Sequence, residues 1–262
     1  MPVAAQPSSE VWTTIAWDGN NSLLAVDLHF KRIARHSDIL GIIIPDDMPK
    51  IVFNKLAKLS IPGEIEVNDD QAPFLVKLII DFESQISLSS RINKIWPTKP
   101  LEAISMMAPN LELPILGTKN GAWQYYIDAR EQAAIHGADI ALLFLDNFLI
   151  DGDKCTPIIL DHDGVAYHPK NTDGALDSIT LEQIKEGIEI SGIPVRGAKI
   201  SLDMLFRASE MIVLGSGLGV CSLGKIDGRK IGNPKGKLYK AAKETWIQRL
   251  KSGWLGFDDL EG

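Results

Sequence analysis

The order of apolar and polar residues along the chain predicts alternating strands and helices. Residues 10–18 hold the run Val11-Trp12-Thr13-Thr14-Ile15-Ala16-Trp17, rich in β-branched and aromatic side chains, and Asp18-Gly19-Asn20-Asn21 follows. That pairing predicts a strand and then a turn. Over 23–40, Leu24, Leu28, Ile33 and Leu40 recur near helical spacing with charges between them, and Gly41 stands where a C-cap belongs. The spacing predicts a helix. A second helix is expected over 45–58 and a strand over 74–82. The stretch 84–114 is broken by Pro97, Pro100, Pro109 and Pro114, so it is expected to be irregular, with a change of domain at 114–118.

Beyond Lys119 the pattern sharpens. Residues 123–136 are helix-compatible and closed by Gly137, and 140–145 is a short buried strand. Strands at 156–160 and 165–167 flank Asp161-His162-Asp163-Gly164, whose Asp-Gly ending is a hairpin signal. Ser178-Ile179-Thr180-Leu181-Glu182 opens a helix with a hydroxyl at the cap and an acid in the first turn, and Gly192 closes it. A short helix over 202–208 precedes a strand at 211–214. The glycine-rich loop Gly215-Ser216-Gly217-Leu218-Gly219 leads to a further strand over 220–226 and the turn Asp227-Gly228. A basic, amphipathic helix over 238–251 ends the series. No repeat or low-complexity tract interrupts it.

Composition narrows the class. The chain has 262 residues, 45% hydrophobic and 23% charged, which is ample for a globular core and unlike disordered or coiled-coil chains. A net charge of −7 without an arginine stripe argues against binding to phosphate backbones, so nucleic acid is not an expected partner. Two cysteines, Cys155 and Cys221, suit neither a zinc framework nor a disulfide scaffold, and the expected compartment is the cytoplasm. The N-terminus has neither the basic flank nor the apolar region of a secretory signal, and no apolar run reaches the length of a membrane span.

Four places could carry chemistry, and each has a plainer reading. The 215–219 glycine loop can turn backbone N–H groups toward an anion, or it can be an ordinary turn. It lacks the strand-to-helix context of a dinucleotide fingerprint, because a strand follows it. The helix start at 178–181 can hold a phosphate with its free N–H groups, or it is simply capped. His29 and Arg32 share a helix face at i and i+3, which by itself describes a solvated basic face. Lys119, in Leu116-Gly117-Thr118-Lys119-Asn120-Gly121, is either one more surface lysine or an amine in the partly desolvated position that covalent catalysis requires. The remaining histidines have no metal-ligand spacing, no Ser-His-Asp set is evident, and no metal is expected.

Taken in order, these segments resemble the class IV, or fold type IV, family of pyridoxal-phosphate (PLP) enzymes. That family contains branched-chain aminotransferases, D-amino acid aminotransferases and 4-amino-4-deoxychorismate lyases. Trp12-Thr13-Thr14-Ile15 is similar to its early strand, and His29-Phe30-Lys31-Arg32-Ile33 to its H-x-x-R-L helix. Thr118-Lys119, followed by a helix and Gly137-Ala138-Asp139-Ile140-Ala141-Leu142-Leu143, resembles its Schiff-base lysine and G-x-D-E-A-L-L segment. Ser178-Ile179-Thr180 is similar to the G-I-T-R phosphate cup. Residues 209–220, continuing through Ile226-Asp227-Gly228-Arg229-Lys230-Ile231-Gly232, resemble A-D-E-V-F-L-T-G-T-A-A-G-V with its trailing I-D-G-R-x-I-G. The likeness spans about 10–246, and the colinear order of all five segments is more specific than any one.

The resemblance implies an α+β, two-domain fold with a smaller domain at 1–114, a linker at 115–118 and a larger domain at 119–262, the cofactor lying at the domain interface. It implies that Lys119 binds PLP as a Schiff base and acts as general base. Arg32, the Ile179 and Thr180 N–H groups, Gly215 and Ser216 would hold the cofactor phosphate. Cys221 then reads as a buried small residue. Asp151, in Asp151-Gly152-Asp153-Lys154-Cys155-Thr156-Pro157, stands where the family has the glutamate of E-G-x-x-x-N, one methylene shorter, and the asparagine becomes Thr156. The family's D-x-G-x-x-x-G-D-G opening has only about ten residues to match it, which implies a shortened active-site wall. The aromatic residue beside the cofactor hydroxyl falls at Trp123 or Tyr125. The implied activity is transfer of an amino group from an amino acid to a 2-oxo acid, with 2-oxoglutarate the expected acceptor, in a homodimer whose active site borrows a partner loop. The alternatives are release of pyruvate from 4-amino-4-deoxychorismate and a degenerate, non-catalytic family member. Retention of Lys119, Arg32 and the 215–219 loop together argues against the last.

Overall fold

The computed structural model describes residues 5–64 and 69–260; the first four residues of the N-terminal segment read above lie outside them. In chain order the main elements are β1 (Glu10–Trp17), β2 (Leu23–Leu24), α1 (Val26–Leu40), α2 (Met48–Leu56), β3 (Phe74–Asp81), β4 (Ile86–Ile92), β5 (Leu101–Met107), α3 (Gln124–Ile135), β6 (Ile140–Leu145), β7 (Phe148–Gly152), β8 (Thr156–Leu160) and β9 (Ala166–Pro169). They continue with α4 (Ile179–Ile190), β10 (Val195–Ala198), β11 (Ile200–Ser201), α5 (Leu202–Arg207), β12 (Glu210–Gly215), β13 (Gly219–Ile226), β14 (Arg229–Lys230), α6 (Lys237–Ser252) and β15 (Trp254–Leu255). The result is a mixed α+β architecture.

Two compact units divide the chain. The first comprises residues 1–95, 118–123 and 247–262, and the second comprises 96–117 and 124–246. The expected linker, 115–118, contains the point at Gly117 and Thr118 where the chain leaves the second unit. Residues 96–114, expected in the smaller domain, belong to the second unit because β5 pairs in parallel with both β6 and β13.

The first unit is built on a five-stranded antiparallel sheet in the order β15-β2-β1-β3-β4. β1 and β3 pair along their full length, from Glu10 opposite Asp81 to Trp17 opposite Phe74. Burial of Val11, Trp12, Ile15, Ala16 and Trp17 places β1 at the centre of this core. On its other edge β2 pairs only at Trp17, which leaves the start of β1 open to another segment. Residues 23 and 24, expected at the head of a helix, instead form β2 between β1 and β15, and α1 begins at Val26. It ends as expected at Gly41, whose φ of 70° lets its N–H close back on Ser37 O.

The irregular segment expected over 84–114 is corrected by two strands. Its prolines lie outside both: Pro97 and Pro100 separate β4 from β5, and Pro109 and Pro114 follow β5. Each strand is therefore free of the residue that would break its ladder.

The second unit holds a larger mixed sheet in the order β10-β9-β8-β12-β13-β5-β6-β7-β11, with β14 paired to β13. Its core gathers Leu101, Ile140, Leu142, Ile159, Met211, Val213 and Leu223 among others. The expected hairpin at 161–164 joins β8 to β9. The glycine loop joins β12 to β13 as an antiparallel pair closing at Gly215 and Gly219. α3 lies on β5 and β6, and α4 lies on β10 and β12. Among the described residues no helix is long and apolar enough to cross a membrane.

Candidate active site

Lys119 is fixed by its own backbone. Its carbonyl accepts from Trp12 N–H at 3.2 Å, Asn120 bridges Val11, and Trp12 Nε1 donates to Asn120 O at 3.0 Å. Residues 119 and 120 thus occupy the edge of β1 that β2 leaves open. The Lys119 N–H donates to His36 Nδ1 at 3.1 Å, so that ring nitrogen carries no proton. Asn120 completes the turn by giving its Nδ2 to Thr118 and accepting from Ala122 N–H. Nζ stands 4.2 Å from the centre of the Trp12 ring and 4.3 Å from that of Trp123, two indoles packed edge to face. Aromatic faces attract an ammonium and shed water, so they restrict the amine to a partly desolvated place.

Arg32 lies in the same unit. The solvated basic face that His29 and Arg32 suggested alone is overturned. His29 is 1% exposed, Arg32 3% and Thr13 of β1 0%, while Lys31 between them faces solvent. Arg32 Nη2 donates to Thr13 Oγ1 at 2.7 Å, and the same oxygen lies 2.7 Å from His29 Nδ1. Burial, then the charges of Arg32 and then of Lys119, hold the His29 pKa well below its ordinary value. His29, Arg32 and His36 fall at i, i+3 and i+7 of α1, one face of the helix. That spacing was readable; Thr13, the polar residue that meets it, has no local signal apart from its place in a buried strand.

The other expected residues belong to the second unit. Asp151, near the end of β7, is buried. Its Oδ1 accepts from Gly152 N–H at 2.9 Å and its Oδ2 from Leu176 N–H at 3.3 Å, in the segment entering α4. Asp153, two residues on, is a structural ion: its Oδ1 accepts from Ala141 N–H and its Oδ2 meets Arg130 Nε at 3.1 Å and Lys154 Nζ at 3.5 Å. Burial and the two carboxylates push the Cys155 thiol up, and burial with Asp151 pushes the Tyr126 phenol up. Both stay protonated.

At the head of α4, Ser178 caps the helix by accepting from Leu181 N–H at 3.3 Å, and Ile179 and Thr180 sit in the first turn. Amides there have no carbonyl one turn behind them and carry the positive end of the helix dipole. Gly215 backs onto the turn after Asp151, where a Cβ would meet Lys154 O at 3.0 Å. The structure therefore places Asp151 against the approach to α4, and Gly215 against the loop that follows Asp151. Cys221 is buried and its thiol is pushed up to about 11 by desolvation, which makes it a packing residue. Of the two aromatic candidates, Trp123 stands beside Lys119, whereas Tyr125 already gives its hydroxyl proton to Met107 O at 2.7 Å.

The first unit thus holds an amine between two indoles and a buried guanidinium, and the second holds helix-start amides and a buried carboxylate. The sequence model of the amino-transferase class IV family matches residues 10–226, and the chain belongs to that family. It is thus an enzyme of the class IV aminotransferase type, a family that uses PLP. No curated protein sequence matches the chain. Among solved structures, it is similar to a branched-chain aminotransferase from Thermoproteus uzoniensis crystallised with norvaline, at TM-score 0.80 and 18% identity over 95% of this chain and 90% of that one. A fold IV-transaminase from Curtobacterium pusillum aligns at TM-score 0.75 and 20% identity, covering 94% and 90%. The branched-chain aminotransferase of Escherichia coli aligns at TM-score 0.70 and 16% identity, covering 90% and 83%. These likenesses establish the fold.

Proposed function

We propose that the chain is a PLP-dependent aminotransferase that moves an amino group from an amino acid to a 2-oxo acid, with 2-oxoglutarate as acceptor. The observation that carries this reading is Lys119: its backbone is anchored on both sides, by His36 and by Trp12, and its amine is held between two indoles.

The donor set fits the cofactor. A phosphate dianion calls for cationic and N–H donors, which Arg32, the Ile179 and Thr180 amides, and Gly215 and Ser216 supply. A protonated pyridine nitrogen calls for a carboxylate, and Asp151 is buried and oriented by two backbone amides. When bound, PLP supplies an electrophilic carbon and a ring that takes up electrons. Lys119 Nζ is the atom that would hold the cofactor and, once the substrate amine has displaced it, would take up the substrate's α-proton. Trp12 and Trp123 limit water around it. The branched-chain aminotransferase fold of the structural relatives makes apolar amino acids the first substrates to try. The assignment extends to a homodimer, as the family resemblance implies, and to the cytoplasm, in keeping with two free, buried thiols.

Near-visible absorbance of the purified protein, before and after borohydride reduction, tests the reading beside Lys119→Ala. A yellow wild type whose colour reduction fixes to the chain, with a colourless variant, is expected. An amino acid with a 2-oxo acid should then turn over. Pyruvate release without an acceptor would instead identify the lyase, and a wild type that stays colourless with added PLP would identify a non-catalytic relative.

A further inference from the structure

We propose that Thr13 is a positioning residue: its hydroxyl clamps the Arg32 guanidinium and ends in a neutral His29. The inference rests on the assignment of Arg32 to the cofactor phosphate. It follows from counting protons in a buried triad. A guanidinium only donates, so Thr13 Oγ1 is the acceptor in its 2.7 Å bond with Arg32 Nη2. The hydroxyl has one proton of its own, and His29 Nδ1 stands 2.7 Å away. Both contacts of the hydroxyl are satisfied when that proton points to Nδ1, which leaves His29 with its proton on Nε2.

The triad crosses two elements: Thr13 comes from the central strand β1, and His29 and Arg32 come from α1. β1 is locked by eight paired positions against β3, so Thr13 is a fixed point from which a flexible arginine can be held. An arginine ordered beforehand loses less freedom when it meets a phosphate. His29 matters as the acceptor that keeps the hydroxyl turned away from Arg32.

The test compares Thr13→Val, which keeps the shape and removes the oxygen, with Thr13→Ser, which keeps the oxygen. PLP titrated into cofactor-free protein, followed by absorbance, should bind at least about tenfold more weakly to Thr13→Val, the loss expected when a hydrogen bond to a charged group is removed. Thr13→Ser should bind within about threefold of wild type if the oxygen alone is at work. Nitrogen NMR of the unliganded wild type should find His29 Nδ1 unprotonated and Nε2 protonated, a preference that Thr13→Val relaxes and Thr13→Ser restores. A structural role alone would not give rescue by serine together with that tautomer. Wild-type PLP affinity in a folded Thr13→Val protein, or a proton on Nδ1 in the wild type, overturns the proposal. If Thr13→Val does not fold, loss of affinity in a folded Thr13→Ser protein overturns it as well. A wild type that binds no PLP sinks the cofactor assignment instead, and the NMR arm then decides the Thr13 clamp by itself.

Discussion

Acidifying the protein through pH 6.5 should load the unfolded chain, and not the folded one, with a proton at His29. The ordinary pKa is 6.5, and in the fold burial, Arg32 and Lys119 all work against the charged ring. The folded pKa is therefore depressed, the unfolded state binds more protons, and stability rises with pH. Full stability from this group is present above 6.5 and is lost as pH falls below it. At pH 5.5 the unfolded histidine is about nine-tenths protonated, and keeping its folded counterpart neutral costs about 1.4 kcal/mol that is nearly absent at pH 7.5. His168, whose pKa burial also lowers, adds to the same trend, so wild type alone does not isolate His29. His29→Asn does, because an amide oxygen can accept from Thr13 at the Nδ1 position and does not titrate. Urea unfolding of both cofactor-free proteins at pH 7.5 and 5.5 gives the double difference. Wild type should lose up to about 1.4 kcal/mol more than His29→Asn over that interval, the most that follows from the unfolded ring's protonation at pH 5.5. Equal losses in the two proteins would refute the neutral buried His29 and with it the proton count at Thr13.

Three further expectations separate structural from functional roles. Asp153→Ala leaves Ala141 N–H buried without its acceptor while Arg130 and Lys154 can turn to water, so chemical denaturation should register a loss of about 2–3 kcal/mol. Asp151→Asn keeps an oxygen for one of the two amides it serves; transamination rate in the folded variant should fall at least about tenfold, one lost charge-assisted contact, and the amide left facing an NH2 group should cost about 1–3 kcal/mol of stability. Gly187→Ala puts a methyl group onto the Thr245 side chain, whose hydroxyl is tied to Ala241 O, and overpacking should cost about 1–3 kcal/mol. Adding Thr245→Ala should recover most of that loss, and a double variant no more stable than Gly187→Ala would count against close packing of α4 on α6.

The strands and helices with strong periodicity were legible because local pattern and tertiary role agree in them. β1, β3, β6, β8 and β12 are apolar runs bounded by turn residues, and α1 and α4 stop at residues that cap them. What escaped was governed by partners far away in the chain. β7 follows Asp146 and Asn147, which sit at φ 49° and 65°, the left-handed pair of a two-residue hairpin turn, and Leu145 pairs with Phe148 across it. The turn signal was present, but without a glycine it did not stand out. β4 and β5 were hidden by the prolines around them, although a proline just outside a strand ends it without breaking it. β2 has only two residues, and nothing local distinguishes them from the first turn of a helix until β1 and β15 claim them.

The candidate site divides along the same line. Colinear motifs pointed to Lys119, Arg32 and Asp151, but their surroundings depend on residues 19 to 107 positions away. Arg32 and His29 read as a solvated face because charge on a helix normally faces water, whereas in the fold both are buried and both meet a hydroxyl from β1. Asp151 and Asp153 are equally acidic in the sequence and two residues apart. Asp153 meets Arg130 and Lys154, while Asp151 accepts from backbone amides at the approach to α4. Under the proposed function a carboxylate oriented by amides would face a cationic ring nitrogen, which makes the aspartate one methylene short of the family's glutamate the acid to test, and its neighbour the control.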